Sequence, residues 1–346
     1  MLELDGADGG GQLLRTALSL AVVTDTPFRI ESIRNDRPNP GLAAQHLAAV
    51  QLAASYCDAE VEGAELGADT VTFVPGSERR SPLEAHVDTA GSVTLLCDTL
   101  LPVAAVDDDP VQLTATGGTD VKWAPTAAYY RRVKLPLLAT QGLDADLTVD
   151  RTGFYPAGGG EVTLTVASSS LSRFDIDDRG DLERVDVYSK AAADLADREV
   201  ADRQATQAAE RLDEMGVPAD VARVDYVEAE SLGSSLLLRA TYDHTVAGFS
   251  ALGERGRTSE DVADEAVDAF ESFRAGTAPV DEHMADQLLV LLAFAGGRIR
   301  IPRLTDHVRT NLELVGAFGS DIEATPQPDG TYRVRASRIR PFGEDH

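Results

Sequence analysis

Residues Asp5 to Leu20 read Asp-Gly-Ala-Asp-Gly-Gly-Gly-Gln-Leu-Leu-Arg-Thr-Ala-Leu-Ser-Leu, and the remainder of the chain echoes this pattern. The consecutive glycines Gly9 to Gly11 open backbone conformations closed to other residues and let a ligand come close. Leu13, Leu14, Ala17, Leu18, Ala21 and Val22 follow at helical spacing. A glycine loop opening a helix leaves N–H groups free to meet a phosphate. Asp8 stands where it could hold a divalent metal, and Arg15 lies one turn into the helix. The same pattern also serves as a tight strand-to-helix turn without a ligand, so its meaning depends on its surroundings.

Composition bounds those surroundings. The 346-residue chain has 36 Asp and 22 Glu against 28 Arg and only three Lys (Lys122, Lys134, Lys190), a formal net charge of −27. Nucleic-acid binders are normally basic, because neutralised phosphates supply most of their affinity. Dense carboxylates with Lys nearly eliminated also suit a cytoplasm of very high salt, where the Debye length shrinks to about 3 Å near 1 M. The charge therefore reports the solvent more than the ligand, and a halophilic protein is expected. No apolar run has membrane-spanning length and no leader pattern opens the chain, so a soluble, cytoplasmic protein is expected. Cys57 and Cys97 are too few for a disulfide framework and read as buried thiols.

Along the chain, a helix, a strand (Pro27–Ile33), a second helix (about Leu42–Tyr56) and two strands (Ala59–Glu62, Thr70–Val74) form a unit. The order returns with a helix from Ala90-Gly91-Ser92 to about Val106, strand Val111–Ala115, helix Pro125–Thr140, and strands Ala145–Asp150 and Glu161–Val166. It returns again with helix Ala285–Ala295, strand Arg298–Pro302, helix His307–Phe318, and strands Asp321–Ala324 and Tyr332–Ala336. The fold class expected is α/β (α+β): three βαβαββ-type units in pseudo-threefold arrangement, helices inside, over residues 1–180 and 278–346. Residues 181–277 carry their own strand and helix pattern and read as a small α/β domain inserted between the second and third units. Thr258 and Asp261 form a plausible capping box for its last helix.

Few residues stand out chemically. Of the six histidines, His86 and His244 sit in or beside strands, His346 is terminal, and His283 faces a helix start. His307 opens a helix after a strand, in Thr305-Asp306-His307-Val308-Arg309-Thr310-Asn311, with Asp306 as its expected cap. A helix N-terminus disfavours imidazolium, leaving a neutral ring available as nucleophile or base. Arg34 and Arg37 flank the turn at Gly41, with Gln45 and His46 one helical turn behind, a set suited to clamping a tetrahedral anion. The loops Gly117–Asp120 and Gly158–Gly160 are each weak phosphate signals.

Taken in order, these segments resemble the RNA 3′-terminal phosphate cyclase family across nearly the whole chain. The segments are Gly9-Gly10-Gly11-Gln12-Leu13-Leu14-Arg15, the Arg34-to-Gly41 turn with Gln45-His46, Glu62–Gly67, Ala90-Gly91-Ser92, Gly117–Asp120, Gly153–Gly160, Ala285-Asp286-Gln287-Leu288, and His307 with Thr310-Asn311. The resemblance implies that His307 attacks the α-phosphorus of ATP and holds AMP as a phosphoramidate. The AMP then passes to an RNA 3′-phosphate, and the 2′-hydroxyl closes a 2′,3′-cyclic phosphate. It assigns Gln12, Asp98, Pro125 and His283, Met284, Ala285, Asp286 and Gln287 to ATP. It assigns Arg15, Arg34, Arg37, Gln45 and His46 to the RNA 3′-phosphate, and Asp8 to a divalent metal, Mg or Mn. Asp8 replaces the family's usual Glu, His283 an aromatic that stacks on adenine, Asp98 a Gln, and Ala44 an Arg. A non-catalytic, cyclase-like partner of RNA or ribosome assembly would lack the nucleophilic histidine. An enolpyruvyl-transfer enzyme of similar repeat fold would need Lys and Arg lining an interdomain cleft.

Overall fold

The computed structural model describes residues 1–7, 10–35 and 37–339. Its first unit runs β1 (Leu2–Asp5), α1 (Gly10–Thr24), β2 (Phe28–Glu31), α2 (Ala44–Cys57), β3 (Glu60–Glu62) and β4 (Val71–Val74). Strand β2 stops short of the expected Ile33 because Ser32 and Arg34 take positive φ (57° and 55°), which turns the chain out of the sheet. The second unit runs β5 (Leu83–His86), α3 (Val93–Ala104), β6 (Val111–Gly117), a helical segment, β7 (Ala145–Arg151) and β8 (Gly160–Val166).

That helical segment differs from the single helix expected over Pro125–Thr140. It consists of α4 (Ala127–Tyr129), a π-helical turn (Tyr130–Lys134) and α5 (Leu135–Ala139). Pro136 is the cause: it lacks an N–H and its ring excludes the carbonyl four residues back, which the wider turn accommodates. The freed carbonyl of Arg132 accepts a hydrogen bond from Arg239 Nε at 2.8 Å.

After β9 (Phe174–Ile176) the chain departs through β10 (Leu182–Ala192), α6 (Val200–Glu214), β11 (Ala219–Val227), β12 (Ser234–Tyr242), β13 (Val246–Gly253) and α7 (Ser259–Ala275). It returns for α8 (Glu282–Ala295), β14 (Gly297–Ile301), α9 (Asp306–Ala317), β15 (Ile322–Pro326) and β16 (Tyr332–Ala336). Three four-stranded sheets share one order, β1-β2-β4-β3, β5-β6-β8-β7 and β9-β14-β16-β15. In each, the first strand is parallel to the second and the other neighbours are antiparallel. Because β9 pairs with β14, the excursion leaves from inside the third unit, after its first strand, and not between the second and third units. With only three residues, β9 is too short for alternation to reveal it in the sequence.

The leading helices of the units meet in the middle: α1 touches α3 and α8, and α3 touches α8. Helix α1 is therefore buried almost all round, with Leu14, Ala17, Leu18, Leu20 and Ala21 fully enclosed. Its two buried hydroxyls are satisfied: Ser19 donates to the Thr99 carbonyl of α3 at 2.7 Å and Thr24 to the Leu20 carbonyl at 2.8 Å. Cys57 and Cys97 are buried free thiols, and burial pushes both above the usual thiol range. No helix among the described residues is long and apolar enough to cross a membrane.

The excursion forms its own sheet, β11-β10-β12-β13, with a separate core in which Val185, Leu236 and Leu238 pack against Leu212 and Phe270. Helix α7 begins with a reciprocal cap: Asp261 N–H donates to Thr258 Oγ1 (3.1 Å) and Thr258 N–H to Asp261 Oδ2 (3.2 Å). At its root, the Arg179 guanidinium donates to the carbonyls of Phe273, Arg274, Gly276 and Ala278, fastening the departing strand to the returning one.

A second joint involves the loops Gly117–Asp120 and Gly153–Gly160. Asp120 is buried and accepts from Lys190 Nζ (2.7 Å), Ser235 Oγ (2.9 Å) and Thr119 Oγ1 (2.7 Å), while Lys190 also stands 5.7 Å from the centre of the Phe154 ring. A Cβ on Gly233 would lie 2.5 Å from that same ring. The glycines thus let the second unit and the excursion close on each other, and Asp120 points into protein rather than to a phosphate. Replacing Lys190 with Met strands the Asp120 carboxylate without its cation. The variant is expected to lose about 3–5 kcal/mol in equilibrium unfolding, with part recovered in Lys190→Met/Asp120→Asn.

Candidate active site

A cavity of about 690 Å³ lies where helices of all three units meet the excursion. Helix α1 contributes Gln12, Arg15 and Thr16; α3 contributes Asp98; the loop before α4 contributes Pro125; α8 contributes His283, Asp286 and Gln287; and His307 comes from α9. Residues separated by almost the whole length of the chain share one wall. Gln12 Nε2 donates to Asp286 Oδ2 at 2.8 Å, tying the first unit to the third. Burial raises Asp286 above the usual carboxylate range, opposed by the Gln12 bond and the nearby imidazoles of His307 and His283.

His307 is exposed and occupies the second position of α9. The cap is Thr305, whose Oγ1 accepts from Val308 N–H at 3.2 Å; Asp306, the cap expected from the sequence, is instead the first helical residue. Such an acid in the first turn suits the helix dipole. Met284 and Ala285, assigned to the nucleotide, have their side chains in the core, because at this point of α8 those two positions face inward. Only their neighbours His283, Asp286 and Gln287 reach the cavity.

The remaining expected residues form a second cluster joined to the cavity through Arg15. His46 is buried, and a Cβ on Gly11 would stand 1.8 Å from its Nε2, so the glycine loop is shaped to admit this ring. Ala43 N–H donates to His46 Nδ1 at 3.3 Å, which places the ring proton on Nε2. Burial, then the charges of Arg15 and Arg34, hold the imidazole down to about 3. Arg34 is pushed below its ordinary value by burial and by neighbouring Arg37, and its Nη1 donates to the Gly41 carbonyl at 2.8 Å. Burial also lowers Arg15, while Asp98 and Asp286 hold it up. Among the described residues Arg15, Arg34 and Arg37 make no ion pair, whereas Arg80, Arg203, Arg239, Arg298 and Arg333 each meet a carboxylate. A neutral imidazole beside Arg15 and Arg34, with Arg37 next to Arg34, has the chemistry that suits an anion.

Hydrogen bonds connect the two clusters. Ser92 N–H donates to Gln45 Oε1 (3.3 Å), Ser92 Oγ lies 2.8 Å from Thr94 Oγ1, and Thr94 Oγ1 donates to the Pro125 carbonyl (2.7 Å). Gln45 is thereby held by the Ala90-Gly91-Ser92 turn, where a Cβ on Gly91 would come within 3.2 Å of the Gln45 Cβ.

Two residues that the sequence reading passed over are central here. Lys134, 2% exposed, bonds Asp98 Oδ1 and Gln287 Oε1 (2.9 Å) and lies 4.9 Å from the centre of the Tyr130 ring. Asp98 and Gln287, both assigned to ATP, are thus committed to this ammonium. The sequence held one signal, since Lys134 is one of three lysines in a chain that otherwise uses Arg. Asp281 is the other: it caps α8 by accepting from Met284 N–H (3.0 Å), and also accepts from Tyr129 Oη (2.8 Å) and Gly248 N–H of the excursion (3.1 Å). It fixes where His283 and Asp286 stand. Asp8, the expected metal ligand, lies outside the described residues. Among those described, no three His, Cys, Asp or Glu side chains are grouped to hold an ion, and no step below is routed through one.

Comparison with known proteins shows the family. A model of the family described as RNA 3′-terminal phosphate cyclase matches residues 7–322. A protein named RNA 3′-terminal phosphate cyclase from Halobacterium salinarum is 45% identical over 97% of this chain and 100% of its own length. Proteins of the same name from Methylococcus capsulatus (39% identical, 92% of this chain and 91% of theirs) and Archaeoglobus fulgidus (39%, 92% and 95%) are also similar. The chain belongs to the RNA 3′-terminal phosphate cyclase family.

The state of His46 is testable by pH. Above pH 6.5 its ring is neutral in both folded and unfolded chains. Between 6.5 and about 3 only the unfolded chain gains a proton there, so the native state loses up to about 1.4 kcal/mol per pH unit as pH falls. His46→Gln should remove that component, giving a shallower fall of unfolding free energy than the unsubstituted protein across this window.

Proposed function

We propose that the chain is a cytoplasmic enzyme of RNA end processing. In this reading it converts an RNA 3′-terminal phosphate to a 2′,3′-cyclic phosphate with consumption of ATP. The observation that supports this most is a juxtaposition: a solvent-accessible imidazole, His307, lines the same cavity as Arg15, and Arg15 also belongs to the arginine cluster around His46, which makes no ion pair among the described residues. One site can hold a nucleotide beside the nucleophile, and the adjoining one a terminal phosphate.

In this reading an imidazole nitrogen of His307 bonds to the α-phosphorus of ATP as the bond to pyrophosphate breaks, and the ring sheds its proton. An oxygen of the RNA 3′-phosphate then takes the AMP from His307, returning the imidazole. The adjacent 2′-hydroxyl next attacks the activated RNA phosphorus, loses its proton, and AMP departs. Covalent transfer replaces a poor leaving oxygen with AMP. Arg15, Arg34 and Arg37 offset charge on the RNA phosphate, and His46, being neutral, donates through Nε2 without adding to their repulsion. ATP is the co-substrate, accompanied by a divalent ion, Mg or Mn. The carboxylate excess serves solvation at high salt.

Incubation with α-labelled ATP and a divalent metal, without RNA, tests the nucleophile. His307→Asn should form no labelled protein and cyclise no RNA from ATP, yet still cyclise RNA adenylylated beforehand. A label retained in His307→Asn overturns the assignment. An unsubstituted protein that binds RNA but never takes label would be a non-catalytic relative. A separate expectation concerns the clamp. Arg37→Ala should leave self-adenylylation near its original level while cyclisation falls about 10- to 100-fold, the loss of a charged hydrogen bond. Equal loss of both steps would place Arg37 with the nucleotide.

A further inference from the structure

Trp123 is the only tryptophan in the chain and is 96% exposed at the edge of the cavity. A large apolar ring left in water is an unfavourable use of a residue that buries more apolar surface than any other. The backbone makes its placement deliberate. Trp123 takes φ of 61°, a left-handed conformation that bulky side chains seldom adopt.

The loop that imposes this conformation is pinned on both sides. Before it, Asp120 is buried under Lys190 and Ser235. After it, the Pro125 carbonyl accepts from Thr94, and Thr126 caps α4 by accepting from Tyr129 N–H. At the tip, Lys122 is paired with Glu254 of the excursion at 2.6 Å. The ring is therefore displayed on a fixed support, with a flat face available and none of the described residues packed over it.

We propose that Trp123 is a stacking platform for a nucleobase of the RNA, near the 3′ end and outside the cavity proper; this rests on the function proposed above. Three observations favour a base over other occupants, and RNA over ATP. Glu254, Glu265 and Glu282 at this rim are paired with Lys122, Arg257 and Arg303, so its charges are balanced and give a phosphate little net pull, whereas a π-face holds a base without regard to charge. Stacking also survives salt that screens phosphate contacts, which suits a chain with net charge −27. The cavity of about 690 Å³ can enclose a mononucleotide against Pro125 and His283, so a ring almost wholly in solvent meets a ligand that continues outward, as a polynucleotide does.

Because Trp123 is the sole tryptophan, protein fluorescence reports on it directly. Titration with a 3′-phosphorylated oligoribonucleotide, without ATP, should quench and blue-shift the emission. An oligonucleotide with abasic terminal positions should bind more weakly and quench less. In steady-state assays Trp123→Ala should raise KM for RNA about tenfold, leaving KM for ATP and the yield of protein–AMP adduct unchanged, and Trp123→Phe should restore most of the loss. Quenching by ATP alone, with a raised KM for ATP in Trp123→Ala, would make the ring an adenine platform and overturn the assignment. So would an RNA KM that does not move. If the unsubstituted protein forms no adduct and cyclises nothing while RNA still quenches Trp123, the proposed reaction fails and the platform stands.

Discussion

The structure depends on the burial of three leading helices, α1, α3 and α8, against one another. Each belongs to a different sheet, and each sheet has one apolar face that must be covered. Packing the helices together covers all three faces at once and leaves α1 enclosed on nearly every side. Each fully buried Leu in that contact contributes about 1.5–3 kcal/mol relative to exposure. The arrangement also has a chemical consequence: Gln12 and Arg15 on α1, Asp98 on α3 and Asp286 on α8 are all brought to one cavity. The site is a by-product of how three similar units share a core.

The excursion is held by polar joints together with a small extension of that core, to which it contributes Leu237 and Val246. Most of its apolar residues form a cluster of their own, and its polar attachments include Arg179 on returning carbonyls, Lys190 on Asp120, and Gly248 N–H on Asp281. The Lys190–Asp120 and Gly248–Asp281 joints satisfy buried groups that would be costly alone. The last also orders α8, so the excursion takes part in placing His283 and Asp286 although it supplies neither. Helix α4 is drawn into the same network through Tyr129.

Charge is distributed in a way that the total conceals. Carboxylates dominate the chain, yet the pocket beside α1 concentrates Arg15, Arg34 and Arg37 without pairing them among the described residues. Partial burial makes this costly, and neutral His46 between them avoids adding a further positive charge. Such a local excess retains attraction for a phosphate at short range even when salt screens the surface. At the other margin of the cavity the ions are balanced, with Lys122 on Glu254 and Lys134 on Asp98.

Much of this was legible along the chain. Helical spacing after Gly9–Gly11 marks α1, the strand pairs show as alternation, and the Thr258–Asp261 box caps α7 as read, because these features are set by neighbours within a few residues. The order of motifs pointed to the family and to His307, Arg15 and His46. What the sequence could not show was set by partners far away. Strand β9 is three residues long and acquires meaning only against β14; Pro136 widens a helix whose freed carbonyl is met by Arg239; Met284 and Ala285 turn to the core while Asp286 turns to Gln12. For Lys134, Asp281 and Trp123 no local pattern showed the partners or the exposure that the fold gives them. Sequence by itself determined most of the elements, their repetition and the reactive residue types, since those follow from short-range periodicity and chemistry. Tertiary structure decided which side chains share a cavity, which are spent on each other and which remain free, because burial and pairing are properties of residues distant in sequence and adjacent only after folding.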